Sequence, residues 1–269
     1  MAKLYVIFHS IYRVDTSKSC HGNILMYETI VDSCLRQVKI CGILVLANRR
    51  VTEMTVLGVA LRASQLRNSS AAVLSAEGYA LDISSFGNNT QLLEIAEHWK
   101  PELIAIGSPL SLPAGLDCLE PSCKCELESP EMKGRRAELE LATVRISCFL
   151  TNKSSIVPSL IYRGIELHAQ LRKLGYHVIE VYPHATKLIV FGDSVPRKRY
   201  ALPFLREQLP ELIRGLEPHV GSLDSGACDA LMNAYTGVLY RKGQTLSLGD
   251  REEGLIIVPQ HGQNPIVTA

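Results

Sequence analysis

The chain has 269 residues, of which 46% are hydrophobic and 20% are charged, with 28 Lys and Arg against 27 Asp and Glu. A net charge of +1 gives no overall attraction to nucleic acid or to an anionic membrane, so binding to either would need a local patch. No apolar run is long enough to span a bilayer, and no cleavage pattern follows the short apolar stretch at residues 4–8. We therefore expect a cytoplasmic protein with no membrane partner, whose eight cysteines are reduced thiols.

The first fifty residues differ in composition from the rest. They hold seven Lys and Arg but only three acids, and no clear strand pattern begins before residue 55. We expect residues 1–53 to be an extension outside the folded domain, with a targeting segment as the alternative. Residues 54–259 should form one domain, and residues 260–269 a flexible tail.

The first half of the predicted domain reads as four strands and a helix. Strands are predicted at residues 56–59, 71–74 and 79–83, and their close spacing indicates an antiparallel meander. A helix over residues 91–99 then leads to an apolar run at residues 103–106, the pattern of a strand buried on both faces. Three hairpin-linked strands, a helix and a fourth strand form the ribonuclease H-like arrangement, an α/β fold with a mixed sheet flanked by helices.

A loop follows the fourth strand and begins at Gly107. The carboxyl ends of buried strands are where ligand sites are built in α/β sheets, so we expect Gly107 to face a crevice. Further along, the loop over residues 114–134 contains Cys118, Cys123 and Cys125. Zinc needs about four ligands. These residues are therefore candidate zinc ligands with Cys148 as a fourth, and ordinary loop thiols are the alternative.

The second half alternates helices with two more strands. Helices are predicted over residues 135–144, 158–174, 183–192 and 228–239, and strands over residues 177–182 and 255–258. The segment after residue 200 is predicted to be helical but interrupted by Pro203 and Pro210. Glu180 stands between apolar residues of a buried strand, where a carboxylate needs a partner. The candidate partners are a metal and three basic side chains, namely Arg136, Arg145 and Lys187.

Six segments of the domain together resemble one family. In chain order they read VLGVALRAS, LIAIGSPLSLP, KGRRAELEL, LIYRGIELHAQLRKLGYHVIEVYPHATK, CDALMNAYT and LGDREEGLIIVP. The order and the residues of these segments resemble those of the predicted ribonuclease H-fold nucleases known as domain of unknown function 429. The resemblance covers residues 55–259 and leaves the extension uncovered.

The resemblance implies a nuclease that hydrolyses phosphodiesters with two Mg²⁺ or Mn²⁺ ions held between acidic residues. The family's pattern has an acid at the end of the first strand, at the end of the fourth and on the last helix. Here these positions hold Ala60, Gly107 and Asp229. One carboxylate cannot bridge two ions, and the alternative is a single, weakly bound Mg²⁺ at Asp229 and Glu180. The sequence therefore predicts a nuclease fold whose catalysis is impaired or lost, with Mg²⁺ or Mn²⁺ as cofactor if it is active and none otherwise.

Three functional hypotheses follow from these residues. The first is a working metal-dependent nuclease with relocated ligands, for which the candidate catalytic residues are Glu138, Glu180 and Asp229. The second is a non-catalytic module that binds nucleic acid or a protein through the old cleft; its candidate phosphate contacts are Lys187, Arg197, Lys198 and Arg199. The third is phosphotransfer to a small molecule, which the absence of a Gly-rich phosphate loop from the sequence disfavours.

Overall fold

The computed structural model describes residues 54–64, 67–129, 131–196 and 198–260. The predicted extension, nearly all of the predicted tail and Arg197 lie outside these ranges, so the domain boundaries stay predictions. Within the described ranges, no helix combines the length and the apolar character that crossing a membrane requires.

The described residues form one mixed sheet of seven strands. The strands are β1 (Thr55–Ala60), β2 (Ser69–Ser75), β3 (Ala80–Phe86), β4 (Leu103–Ile106), β5 (Val178–Val181), β6 (Thr245–Asp250) and β7 (Gly254–Pro259), in the order β3-β2-β1-β4-β5-β7-β6. The first three strands are antiparallel neighbours, β1, β4, β5 and β7 run parallel, and β6 returns antiparallel to β7. The predicted ribonuclease H-like mixed sheet is confirmed.

Six α-helices flank this sheet in the described ranges. They are α1 (Asn89–Trp99), α2 (Arg136–Thr143), α3 (Pro158–Lys173), α4 (Pro183–Phe191), α5 (Ala201–Leu212) and α6 (Ser225–Arg241). Side-chain caps begin two of them: Asn88 accepts a hydrogen bond from the backbone of Gln91 before α1, and Asp224 accepts one from Ala227 before α6. Helices α3 and α4 begin at prolines, whose fixed φ suits the first turn.

Two apolar layers cover the faces of the sheet. Val56 and Ala105 belong to the layer that packs against α5 and α6. Leu57 and Ile104, their neighbours along the strands, belong to the layer under α1 and α3. Because both faces are covered, the central strands are apolar at consecutive positions, which explains the uninterrupted runs in the sequence.

Helix α6 approaches the sheet through two glycines. A Cβ placed on Gly58 of β1 would lie 2.2 Å from the carbonyl oxygen of Ala230 and 2.3 Å from the backbone nitrogen of Ala234. A Cβ on Gly237 would lie 2.5 Å from Cγ1 of Val56. This close packing requires glycine at both positions. It places the N-terminal half of α6 beside the carboxyl ends of β1 and β4.

The structure corrects the predicted elements in two places. Strand β6 was not predicted, because its residues are mostly half-buried or exposed and it lies at the sheet edge. Helix α5 is continuous, so the predicted interruption by two prolines is wrong. Pro203 falls in the first turn of α5, where the backbone N–H has no intrahelical partner to lose.

Candidate active site

The three positions singled out by the family resemblance lie on one face of the sheet. Ala60 ends β1, Gly107 follows β4, and the register of these parallel strands pairs Val59 with Ile106, which makes Ala60 and Gly107 neighbours. Ala60 packs in the same apolar layer as residues of α6, the helix that carries Asp229. We call the space in front of Ala60 and Gly107, on the α6 side, the strand-end cleft.

The side chain of Asn233 occupies this cleft. It is fully buried, and its Nδ2 donates a 2.8 Å hydrogen bond to the carbonyl oxygen of Val59. A Cβ on Gly107 would lie 2.5 Å from the same Nδ2. Gly107 does not have a positive φ, so lack of room rather than backbone strain opposes a side chain there. Asn233 Oδ1 has no hydrogen-bond partner among the described residues.

Asp229 lies one helical turn before Asn233 and forms an ion pair. Its Oδ1 contacts Nζ of Lys187 from α4, and the two side chains are 28% and 16% exposed. The predicted partial exposure of Asp229 is confirmed. The single acid of the expected triad is therefore already neutralised by a cation of the same chain.

Two titratable groups beside this ion pair have shifted pKa values. Burial raises the pKa of Tyr182 to about 12, with smaller effects in the same direction from Cys148 and Asp229. Burial lowers the pKa of His184, and the charge of Lys187 lowers it further. Both shifts favour the uncharged form of the side chain.

A second cluster of charges surrounds Arg135, which directly precedes α2. Its side chain is 1% exposed and binds Glu180 in a bidentate pair, with Nη2 2.5 Å from Oε1 and Nη1 2.7 Å from Oε2. Its Nε donates to Oε1 of Glu138 at 2.9 Å. We call these three residues the arginine network. The partners predicted for Glu180 were wrong, because the basic residue that binds it is Arg135, one position before the predicted Arg136. Arg136 points outward to Asp250.

The carboxylates of the arginine network are saturated with donors. Glu138 accepts hydrogen bonds from the backbone nitrogen and the hydroxyl of Thr151, at 2.7 and 2.6 Å. Oε2 of Glu180 also accepts the N–H of Leu110 at 2.9 Å. Burial opposes the charge on Arg135, but Glu180 and then Glu138 outweigh it, so the pKa of Arg135 is raised. The network is a charged, fully hydrogen-bonded part of the interior.

Glu180 points away from the layer that contains α6, the helix that carries Asp229. Ile179 and Val181, on either side of Glu180 in β5, pack in the layer that contains α6. Alternation along a strand places Glu180 on the other face. The three carboxylates of the relocated-ligand hypothesis are therefore divided between the arginine network and the Lys187–Asp229 pair.

A cavity of about 140 Å³ adjoins the arginine network at the ends of β4 and β5. Its floor includes Gly107 and the network carboxylates, and its walls are mainly apolar. Phe149 and Ile156 line it and are 77% and 78% exposed. The cavity thus combines an apolar wall with a polar floor whose charges are internally paired.

Two of the basic residues proposed as phosphate contacts, Lys187 and Arg199, have described side chains. Lys187 is paired with Asp229, as described above. Arg199 is exposed and its guanidinium lies 4.9 Å from the ring centroid of Tyr200, while Lys198 begins a 3-10 helix at Lys198–Tyr200.

One basic residue near the cleft was not singled out from the sequence. Arg62 follows Ala60 by two positions, and its Nη2 donates to the hydroxyl of Ser225 at the start of α6, at 3.1 Å. The signal that could have identified it is its place directly after the first strand, where the family resemblance already locates a site residue.

The three loop cysteines come together away from the cleft. The Sγ atoms of Cys118, Cys123 and Cys125 lie within 4.8 Å of one another. Hydrogen bonds from the backbone of Cys118 and Asp117 lower the pKa of the Cys125 thiol to about 7. Cys148, expected as a fourth ligand, donates instead to the carbonyl oxygen of Glu138 and is not part of this group.

No other set of metal-binding side chains forms in the described ranges. Apart from the three thiols, no three ligand atoms from His, Cys, Asp or Glu lie within 4.8 Å of one another there. The strand-end cleft therefore lacks, among these residues, the convergent carboxylates that a two-ion centre requires.

Comparisons with known proteins find likeness in structure but not in sequence. No protein-family model matches the chain, and no curated protein matches it. Among solved structures, the chain is similar to the RuvC structure of Thermus thermophilus, with 13% sequence identity, a TM-score of 0.41, and coverage of 71% of this chain and 97% of that one. The assignment of a ribonuclease H-like fold rests on the strand order and directions given above.

Proposed function

We propose that this chain is a member of the nuclease family known as domain of unknown function 429 that has lost metal-dependent phosphodiester hydrolysis. The observation that carries the proposal is the content of the strand-end cleft. A methyl group, a hydrogen and the neutral amide of Asn233 stand there in place of two carboxylates.

The electrostatics of the cleft support this loss. Two divalent ions bring four positive charges, and hard oxygen ligands must offset them. Asp229 is the acid that the family pattern retains, and the ammonium of Lys187 already neutralises it. Binding an ion at Asp229 would require breaking that pair.

The arrangement of the other carboxylates argues against relocated ligands. Glu138 and Glu180 would have to leave Arg135, and removing one member of a buried charge cluster costs about 3–5 kcal/mol. Glu180 also faces away from Asp229. A functional two-ion centre built from these three residues would need a rearranged core.

We propose that the surface beside the strand ends binds nucleic acid without cleaving it. Arg62 places a guanidinium beside the start of α6, where it can contact a phosphate. Binding of a protein partner is the alternative, which the exposed side chains of Phe149 and Ile156 favour.

The first experiment tests catalysis. Labelled single-stranded and duplex oligonucleotides are incubated with the full chain in Mg²⁺ and in Mn²⁺, and we expect no cleavage above that of the Asp229→Asn variant. Robust cleavage by the unmodified chain that both a chelator and Asp229→Asn abolish would refute the proposed loss.

The second experiment attempts to restore the site. The variant Ala60→Asp, Gly107→Asp and Asn233→Ala returns two acids and removes the amide that blocks the space at Gly107. We expect this triple variant to bind Mn²⁺ by calorimetry, whereas the unmodified chain does not. The matched control is Ala60→Asn, Gly107→Asn and Asn233→Ala, which has nearly the same shape without the charges. Equal Mn²⁺ binding by both variants would contradict the site assignment.

The third experiment tests ligand binding. Fluorescence anisotropy of a labelled oligonucleotide, measured over a salt series, should show weaker binding and a salt slope smaller by about 1 for Arg62→Gln. The control is Lys173→Gln, an exposed charge at the end of α3. The absence of binding at low salt, or the same loss in both variants, would leave the protein-binding alternative.

A further inference from the structure

The three clustered cysteines lie on a closed loop with a defined base. The backbone nitrogen of Glu128 donates to the carbonyl oxygen of Ala114 at 3.0 Å, which joins the two ends of the loop. Gly115 crosses this base with a φ of +85°, and a Cβ there would lie 2.3 Å from the carbonyl oxygen of Glu126. Only glycine fits both the φ and the space, so the closed conformation of the loop depends on glycine at position 115.

The loop is also anchored on its outside. The backbone nitrogen of Leu119 donates to the hydroxyl of Tyr162 in α3 at 2.6 Å. At its base, the backbone nitrogen of Ala114 donates to Oε1 of Glu253 at 2.8 Å. The three thiols are therefore carried on a segment held at several points, which is the condition for a preorganised metal site.

The separation of the sulfur atoms fits a tetrahedral metal. Cys118 Sγ and Cys125 Sγ are 3.9 Å apart. In a tetrahedral zinc site with Zn–S bonds of about 2.3 Å, neighbouring sulfur atoms are about 3.8 Å apart. Cys123 completes a group in which no separation exceeds 4.8 Å, and all three thiols are partly accessible to solvent.

A lysine lies next to the thiols. Nζ of Lys153 donates to the carbonyl oxygens of both Cys123 and Cys125, at 2.6 Å to the first. Three thiolates and one divalent cation carry a net charge of −1, so this ammonium opposes the excess negative charge. Its two hydrogen bonds also fix the backbone that presents two of the sulfur atoms, the role that outer-shell groups play in metal sites.

We propose that Cys118, Cys123 and Cys125 bind one thiophilic divalent cation, with zinc as the favoured ion, and that its fourth position is open to water or an external ligand. The site is independent of the proposed loss of nuclease activity. A bound metal would link three positions of the loop over residues 114–128, which lies beside α3. Metal binding should therefore stabilise this segment against unfolding and proteolysis.

The test uses the full chain, reduced and freed of metal by a chelator. Zinc content after gel filtration should be one ion per chain above that of the variant Cys118→Ser, Cys123→Ser and Cys125→Ser, which retains the other five of the eight cysteines. Co²⁺ should give thiolate-to-metal charge-transfer absorption and the d–d bands of tetrahedral coordination in the unmodified chain but not in the triple variant. Each single Cys→Ser variant should lower zinc affinity by more than about 100-fold, and Lys153→Met by about 10–100-fold.

Two controls separate metal binding from folding. Cys148→Ser removes a thiol outside the group and should leave zinc content and the cobalt spectrum unchanged. Without metal, the triple variant and the unmodified chain should melt together, and zinc should raise the melting temperature of the unmodified chain alone. Equal zinc uptake by the triple variant would overturn the proposal. So would a Cys118–Cys125 disulfide that forms in air, with oxygen as the oxidant, once the reductant is removed and while excess zinc is present.

Discussion

Replacing Arg135 by Met should destabilise the protein more than any other charge substitution in the described core. The guanidinium contacts both Glu138 and Glu180, and its side chain is 1% exposed. Its removal leaves two buried carboxylates without a cation, although they keep their hydrogen bonds from Thr151 and Leu110. Breaking a buried pair in this way costs about 3–5 kcal/mol.

Thermal unfolding followed by circular dichroism measures this cost. For a domain of about 150–250 residues, each kcal/mol lowers the melting temperature by about 2–4 °C, so Arg135→Met should melt about 6–20 °C lower. Adding Glu138→Gln and Glu180→Gln removes the two stranded charges and should recover part of the loss at neutral pH.

The adjacent residue supplies the control. Arg136 is 57% exposed and lies 3.5 Å from Asp250, and surface pairs of this kind contribute about 0–1 kcal/mol. Arg136→Met should therefore lower the melting temperature by less than about 4 °C. If Arg135→Met melts within this range as well, the arginine network does not stabilise the core and the reasoning fails.

Three further predictions concern other parts of the chain. A chain that begins at Met54 should keep the cooperative melt of the full chain, since the family-like strands start directly after it; insolubility would show that the extension belongs to the fold. Gly58→Ala should cost about 3 kcal/mol or more in urea unfolding, because the added methyl group meets backbone atoms of α6; an unchanged midpoint would contradict that packing. Burial lowers the pKa of His168 and of His184, so the unfolded chain binds protons first and stability should fall as the pH drops below about 6.5. A double His→Gln variant should flatten that pH dependence, and an unaltered slope would assign it to other groups.

The sheet could be predicted from the sequence because its central strands are buried on both faces. The runs at residues 56–59 and 103–106 are apolar without interruption, and the structure places strands there with one residue of difference at most. Strand β6 could not be predicted in the same way. It pairs with β7 in a hairpin at the edge of the sheet, and the preference for strand structure at a half-exposed edge depends more on packing context than on residue type.

The candidate site was predictable in its positions but not in its contacts. The family pattern indicated Ala60, Gly107 and Asp229, and the structure brings the first two together beside the helix that carries the third. The partner of Glu180 depends on where the loop before α2 passes, and a shift of one residue exchanges Arg135 for its neighbour. The position of the Asn233 amide against Gly107 could not be predicted, because it follows from the close approach of that helix to β1.

The contact between Asn233 and Gly107 also bears on how such a chain could change over generations. An acid that arises at position 107 alone meets the amide 2.5 Å from its Cβ, so the mutant first loses stability and gains no metal site. Removing Asn233 alone leaves a buried gap and frees the carbonyl oxygen of Val59. A single substitution at position 107 or at position 233 is therefore unfavourable, and a metal site requires several substitutions together. This contact makes the order of mutations matter, because a carboxylate at position 107 gains room only after Asn233 has been replaced.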